Sequence, residues 1–206
     1  MEKIIINHIK PHYIHEKELQ NSDIYLQKFT LIKGEKYLLK STSGKGKSSF
    51  LNIVFGINNS FEGGIEYVPE RSSDWKKTQM SYVFQDLKLF EELSLIENIE
   101  IKNSLTNHKT KDEIESYISQ LGLADKKDSL LKTLSYGQRQ RVALIRALCQ
   151  PFDFLLLDEP FSHLDDENVA ICTDLINQEL TQNNAGLLVT SLGENHSFNY
   201  HKIFCV

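Results

Sequence analysis

A loop rich in serine and glycine has the composition expected of a phosphate-binding loop. It follows an apolar segment and reads Ser41-Thr42-Ser43-Gly44-Lys45-Gly46-Lys47-Ser48-Ser49. A polyphosphate needs converging backbone N–H donors from a loop with little Cβ crowding, a helix N-terminus behind them, and an ammonium that reaches the outer phosphates. Gly44, Gly46, Lys47 and Ser48 supply these groups. The full motif is G-x-x-x-x-G-K-[S/T], and Ser41 takes the place of its first glycine, so a serine-rich surface loop is the alternative for this segment alone.

Two adjacent acidic residues end a later apolar segment, Phe154-Leu155-Leu156-Leu157. Asp158 and Glu159 follow at a position where burial of an unpaired charge would be costly. A metal accounts for them, because Asp158 can hold Mg²⁺ directly or through water while Glu159 orients or deprotonates an attacking water. The alternative is a carboxylate pair that ends a strand at the surface. The phosphate loop in the same chain favours the metal site.

Composition and charge narrow the class of protein. The chain has 206 residues, of which 40% are hydrophobic, and 23 Lys plus Arg against 28 Asp plus Glu give a net charge of −5. The apolar content suits one or two packed domains, and the acidic balance disfavours a general polyanion binder, so no nucleic-acid partner is expected. Three cysteines without C-x-x-C spacing fit a reducing compartment. No apolar run reaches the roughly 18 residues of a membrane span, and we expect a cytoplasmic protein.

The spacing of apolar residues predicts the elements that position these groups. Short apolar or alternating segments near the N-terminus predict strands, whereas spacings of three and four between residues 94 and 150 predict helices. All-apolar runs after residue 150 predict strands that are covered on both faces. The predicted strands are 4–6, 24–32, 37–39, 65–68, 80–84, 154–157 and 186–190, and a helix is predicted over 169–180. The pattern predicts an α/β core with a mostly parallel sheet, an antiparallel start and a helical insertion.

A third motif carries the most specific likeness to a known family. It reads Leu134-Ser135-Tyr136-Gly137-Gln138. This resembles the L-S-G-G-Q signature of the ATP-binding cassette (ABC) ATPases, with Tyr136 in place of the first glycine. Ser135 and Gly137 can offer a hydroxyl and an amide to a γ-phosphate at a helix N-terminus. The resemblance covers nearly the whole chain and implies a P-loop NTPase core in one nucleotide-binding domain over residues 1–206, with an N-terminal antiparallel β subdomain and an α-helical subdomain inserted at about 86–150.

Further motifs follow in the order of that family. Gln85, at the end of a predicted strand, resembles the Q-loop glutamine, and Asp165 closes a Ser-His-Leu-Asp segment that resembles the D-loop. Tyr13 is similar in placement to the aromatic residue that stacks on adenine. Tyr25 and His12 are rivals for that role, and core packing is the alternative for an aromatic residue in a strand.

The resemblance implies a set of residues for ATP and Mg²⁺. Catalysis would use Glu159, Gln85 and Lys47. The metal would be held by Ser48, Gln85 and Asp158. The nucleotide would contact Tyr13, Ser41, Thr42, Ser43, Gly44, Lys45, Gly46, Lys47, Ser48, Ser49, Ser135, Gly137, Gln138, Asp165 and Ser191.

A further position of the family pattern, the switch histidine, is altered. The switch histidine, which follows the strand after the carboxylates, would fall where this chain has Ser191. A serine hydroxyl is shorter than an imidazole and carries no positive charge. Loss of one transition-state donor costs about 10²–10³ in rate, while the groups that bind the ground state remain. We therefore expect slow ATP hydrolysis; His196 and His163 lack the family's placement and are not assigned the role.

The resemblance implies the nucleotide-binding subunit of an ABC transporter, similar to the small cassettes of lipoprotein-releasing, macrolide-exporting and cell-division systems. Two cassettes would close head to tail around ATP, and a homodimer is expected because one chain holds one phosphate loop and one signature. Residues 86–98, whose Leu89 and Phe90 would equally suit a helical core, would grip a membrane-spanning subunit, which places the protein at the inner face of the membrane. The alternative is an ATP-dependent dimerising switch with weak or no hydrolysis, favoured by Ser41 and Ser191.

Overall fold

The strands form two separate sheets. The computed structural model describes residues 1–42, 44–70, 79–193, 195–196 and 198–206. The strands are β1 (Lys3–Pro11), β2 (Lys28–Ile32), β3 (Lys36–Lys40), β4 (Phe61–Val68), β5 (Met80–Val83), β6 (Phe154–Leu157), β7 (Gly186–Ser191) and β8 (Lys202–Cys205). A three-stranded antiparallel sheet has the order β2-β1-β4, and a five-stranded parallel sheet has the order β5-β6-β7-β3-β8. The prediction of an α/β fold with an antiparallel start is confirmed.

The small sheet is centred on β1. Lys3 lies opposite Ile32 of β2 on one side and opposite Val68 of β4 on the other. Ile4 and Ile6 are fully buried, as expected for alternate residues of a strand with one face on the core. This sheet therefore packs its apolar face inward.

Strand β2 is shorter in the structure than the sequence predicted. The prediction began it at residue 24, whereas β2 begins at Lys28. The backbone N–H groups of Ile24 and Tyr25 both donate to the Ser22 hydroxyl, and Leu26 has a φ of 59°. A left-handed residue and a side-chain-capped turn are incompatible with an extended strand at this point.

The helices alternate with the strands of the large sheet and fill one insertion. They are α1 (Glu16–Leu19), α2 (Lys47–Val54), α3 (Leu95–Asn103), α4 (Lys111–Gln120), α5 (Tyr136–Leu148) and α6 (Asp166–Asn183). Capping boxes start three of them, with the pairs Ser94 and Glu97, Thr110 and Glu113, and Ser135 and Gln138. Each box satisfies two backbone donors that the first helical turn leaves free. Helices α3, α4 and α5 lie between β5 and β6, in the stretch predicted to be helical.

The large sheet is covered on both faces. Leu155 and Leu157 of β6 belong to a core shared with α3 to α6, whereas Phe154 and Leu156 belong to a second core shared with α2 and the small sheet. This alternation explains the all-apolar sequence of the strand. Among the described residues, no helix combines the length and the apolar character that a membrane crossing requires.

Candidate nucleotide-binding site

The phosphate loop connects β3 to α2 and is fixed by a buried tyrosine. Gly46 is the N-cap of α2 and has a φ of 89°, a conformation that favours glycine. The Tyr25 hydroxyl donates to the Gly46 carbonyl at 2.6 Å, and Tyr25 is fully buried. A Cβ on Gly46 would lie 2.9 Å from that hydroxyl oxygen. The loop therefore needs glycine here for its backbone angle and for its contact with Tyr25.

The loop lysine is held over the loop and faces an acidic residue. Lys47 is only 4% exposed. Its Nζ donates to the backbone carbonyls of Ser41 at 3.0 Å and Thr42 at 3.2 Å, and it lies 3.5 Å from Oε1 of Glu159. The ammonium is thus placed between the phosphate loop and the predicted catalytic carboxylate.

Asp158 is a buried carboxylate, 3% exposed, at the end of β6. Its Oδ1 accepts a hydrogen bond of 2.8 Å from the Thr190 hydroxyl. Burial raises the pKa of Asp158, and hydrogen bonds from Ser48 and Thr190 together with the charge on Lys47 act in the opposite direction. A carboxylate in this setting is stabilised in its charged form by a bound cation.

Thr190 also supports the neighbouring glutamate. The Glu159 backbone N–H donates to the Thr190 hydroxyl oxygen at 2.9 Å. Glu159 has a φ of 48°, and a left-handed non-glycine residue costs about 1–2 kcal/mol. One hydroxyl at the end of β7 therefore bonds to both acidic residues at the end of β6.

Three oxygen donors fit a magnesium ion. The Ser48 hydroxyl contacts Oε1 of Gln85 at 3.4 Å, and both residues line one cavity together with Asp158. A hydroxyl, an amide carbonyl and a carboxylate are the hard oxygen ligands that Mg²⁺ prefers. The structure thus brings together the three residues that the sequence analysis assigned to the metal.

A cavity of about 450 Å³ lies over the phosphate loop. Its lining includes residues 44–49 of the loop, Gln85, Glu159 and Tyr13. Tyr13 is 55% exposed, whereas Tyr25 is fully buried and offers no free ring face. Of the three rivals for an adenine contact, Tyr25 is therefore excluded. Ser43 was also assigned to the nucleotide and lies outside the described residues.

The signature residues lie apart from this cavity. Ser135 caps α5, and its backbone N–H donates to Oε1 of Gln138 at 2.8 Å. Ser135, Gly137 and Gln138 are absent from the cavity lining formed by the described residues. Asp165 caps α6 and accepts from the Asn168 N–H at 2.8 Å. Within the described chain, the predicted nucleotide residues thus fall into two groups on different elements.

Ser191 ends β7 beside the acidic pair. It is buried, its hydroxyl accepts from the Gly193 N–H at 3.3 Å, and it lines a cavity of about 640 Å³ with Glu159 and His196. The His196 ring packs against Phe161 at 4.6 Å between ring centroids. Ser191 therefore lies at the end of β7, next to β6, which the predicted catalytic Glu159 follows.

Two residues of the site were not found from the sequence. Thr190 was given no role beyond its place in a predicted strand, and Tyr25 was considered only for a contact with adenine. The adjacency of β6 and β7 carries the signal for Thr190, because carboxyl ends of neighbouring parallel strands lie side by side. No local pattern links Tyr25 to Gly46, which is 21 positions away.

A comparison with models of known protein families matches residues 27–162 to the family described as ABC transporter. This stretch makes up more than half of the chain and contains the phosphate loop, the Gln85 segment, the signature and the acidic pair. The chain belongs to the ABC transporter family.

The names of similar curated proteins describe import systems. The aliphatic sulfonates import ATP-binding protein SsuB of Bacillus anthracis is 40% identical over 137 residues, which are 66% of this chain and 54% of that protein. The thiamine import ATP-binding protein ThiQ of Histophilus somni is 41% identical over 137 residues, 64% of each chain. The chain spans about half the length of the SsuB relative. Neither name supports the alternative of a dimerising switch.

Solved structures show the same fold. A putative ABC transporter ATP-binding protein from Pyrococcus furiosus aligns over 98% of this chain and 96% of its own, with a TM-score of 0.79 and 20% identity. A putative metal-chelate type ABC transporter in an inward-facing conformation aligns over 93% of this chain and 73% of its own, with a TM-score of 0.68 and 23% identity. At these identities the likeness supports the fold of this ABC family member.

Proposed function

We propose that this chain binds and hydrolyses ATP as the nucleotide-binding subunit of an ABC transporter, in a single domain over residues 1–206 with the helical insertion at about 86–150. One observation carries the proposal. The Lys47 ammonium lies 3.5 Å from the Glu159 carboxylate, and the next loop residue, Ser48, lines one cavity together with Asp158. A phosphate loop joined in this way to two acidic residues has the parts that phosphoryl transfer to water requires.

Different groups of this chain bind the phosphates, activate the water and contact the adenine. Backbone N–H groups at the start of α2 bind phosphate oxygens, and the Lys47 ammonium reaches the outer phosphates. Glu159 orients a water molecule for attack, and its carboxylate accepts the proton as the bond to phosphorus forms. Gln85 lines the same cavity and holds its amide near the reacting phosphate. Tyr13, exposed at this cavity, contacts the adenine.

Ser48, Gln85 and Asp158 would hold Mg²⁺ at this site. There it would supply positive charge beside the phosphate oxygens. The Thr190 hydroxyl fixes the Asp158 carboxylate at 2.8 Å, so that Asp158 keeps one orientation toward Ser48. The residues around the metal are therefore positioned by protein contacts.

The nucleotide site is completed by a second copy of the chain. Ser135, Gly137, Gln138 and Asp165 lie on elements apart from the phosphate-loop cavity, and a head-to-tail homodimer would bring them to the partner's nucleotide. This arrangement is the one that the family signature implies. ATP binding would close the dimer, and hydrolysis would reopen it.

A membrane-spanning subunit would dock on the face near Gln85. A second cavity, of about 510 Å³, is lined by Phe84, Gln85 and Ile57 among others. Ile57 is 50% exposed and Phe90, farther along the same segment as Gln85, is 53% exposed. Exposed apolar side chains around a concavity are typical of a protein-binding surface. Through such a partner the chain would act at the cytoplasmic face of a membrane.

Turnover would be slow because Ser191 takes the place of the switch histidine. Its hydroxyl carries no charge, so one transition-state donor is missing. Replacing it by histidine should raise kcat for Mg-ATP by about 10-fold or more, with little change in the Kd for ATP. Rapid wild-type turnover that Ser191→His does not increase would show that another group supplies this function.

Calorimetry with Mg-ATP tests the proposed function directly. Wild-type protein should bind ATP with magnesium and release phosphate, and Lys47→Ala should lose binding because the ammonium at the outer phosphates is gone. Lys132→Ala, which removes an exposed lysine whose ammonium lies 2.7 Å from Glu92, is the matched control and should bind like the wild type. No uptake of nucleotide by the wild type would contradict the proposal.

A further inference from the structure

Tyr136 connects the signature helix to the Gln85 segment. It occupies the position where the family signature has a glycine, so the side chain is a departure from the family pattern. Its hydroxyl donates to the Gln85 backbone carbonyl at 3.0 Å, across 51 positions of sequence. A glycine at this position would leave that carbonyl without this donor.

Gln85 is held at two points. Its carbonyl accepts from Tyr136, and its side-chain Oε1 contacts the Ser48 hydroxyl at 3.4 Å. Tyr136, Gln85, Ser48 and Asp158 also line one cavity of about 510 Å³. A chain of contacts therefore runs from the start of α5 to the phosphate loop of the same protomer.

The Tyr136 side chain also contacts the segment that precedes Asp165. It is the first residue of α5, directly after the cap Ser135. Its ring lies 4.4 Å from the His163 ring between centroids. A Cβ on Gly137 would lie 2.8 Å from the His163 carbonyl oxygen, so the start of α5 is in close contact with the segment before Asp165. A shift of the helix end would therefore move Tyr136 with it.

We infer that the Tyr136 hydroxyl couples the two nucleotide sites of the dimer. The inference rests on the proposed function, in which Ser135 and Gly137 meet the nucleotide of the partner protomer. Tyr136 moves with that end of α5 and fixes Gln85. The Gln85 side chain contacts Ser48 in the nucleotide site of the same protomer. Occupancy of one site is thereby linked to the geometry of the other, and such a linkage acts in both directions. Tyr136 is a positioning residue, because it acts through Gln85.

The substitution Tyr136→Phe isolates the hydroxyl, since the ring contacts with His163 are kept. One hydrogen bond of this kind corresponds to about a 2- to 10-fold effect. We expect kcat for Mg-ATP to fall by about that factor and the Hill coefficient of hydrolysis to fall from above one to one. The Kd for ADP, measured by calorimetry on the monomer, should stay at the wild-type value. A purely structural role would not change cooperativity while sparing ADP affinity.

Tyr67→Phe is the matched control. The Tyr67 hydroxyl also donates to a backbone carbonyl, that of Val54 at 2.8 Å, and its removal should leave the Hill coefficient unchanged. The inference is overturned if Tyr136→Phe keeps wild-type kcat and cooperativity, if Tyr67→Phe loses cooperativity equally, or if the wild type hydrolyses ATP without cooperativity. Failure of the wild type to bind nucleotide at all would refute the proposed function instead.

Discussion

At the scale of single residues, the Thr190 hydroxyl connects the two acidic residues of the site. It donates to Asp158 Oδ1 and accepts from the Glu159 N–H, so both its donor and one acceptor position are used. Asp158 is buried, and a buried carboxylate that loses a donor is destabilised by desolvation. The hydroxyl therefore supports the fold and the orientation of both acidic residues.

Thr190→Val removes this hydroxyl at almost constant volume. The free energy of unfolding should fall by about 1–3 kcal/mol, because a buried carboxylate oxygen and a backbone N–H lose their partner. The kcat for ATP should fall as well, since Glu159 loses the contact that holds its backbone. Urea unfolding and a phosphate-release assay measure the two effects.

Thr173→Val is the control for that experiment. Thr173 is also buried, but within the described part of the chain its hydroxyl has no hydrogen-bond partner. Its replacement should leave stability unchanged or raise it, because no bond is lost. Equal destabilisation by the two substitutions would contradict the role given to Thr190.

At the scale of elements, a buried polar cluster attaches the inserted helices to α6. The Lys109 ammonium lies 2.9 Å from Glu179 Oε1, and the Tyr117 hydroxyl donates to the same carboxylate. Both members of the ion pair are nearly inaccessible to solvent. Burial and the adjacent Glu179 raise the pKa of Tyr117, which keeps its hydroxyl protonated as a donor. The cluster therefore fixes α4 against the core.

Lys109→Met breaks the ion pair and leaves Glu179 buried without its cation. The free energy of unfolding should fall by about 3 kcal/mol, as measured by urea denaturation. The matched substitution Lys132→Met removes an exposed ion pair with Glu92 and should cost no more than about 1 kcal/mol. Similar losses for both variants would show that the buried pair does not fix α4 in this way.

Many of the helices and strands could be predicted from the sequence, and the exceptions have physical causes. The three capping boxes follow the S/T-x-x-E/Q pattern, and the apolar run 154–157 indicated a strand covered on both faces. Strand β8 was not predicted, because its apolar run of Ile203 to Cys205 is short and the strand is defined by its pairing with β3. The site residue Tyr25 was missed for a related reason, since its contact with Gly46 depends on how the two sheets pack.

At the scale of the whole molecule, the family match spans the segments that form the proposed site. The match covers residues 27–162, which include the loop lysine and the acidic pair. Ser135 and Gly137 lie on α5, apart from the loop cavity. In the proposed mechanism one protomer supplies two half-sites, and a second copy is required to join them.

The most direct test of this requirement is the mass of Glu159→Gln in solution with Mg-ATP, measured by size-exclusion chromatography with light scattering. Glutamine keeps the shape of the side chain but accepts no proton, so hydrolysis should stop while ATP stays bound and the closed dimer accumulates. We expect a dimer with ATP and a monomer with ADP. A variant that binds ATP, as shown by calorimetry, and yet remains entirely monomeric would contradict the head-to-tail site.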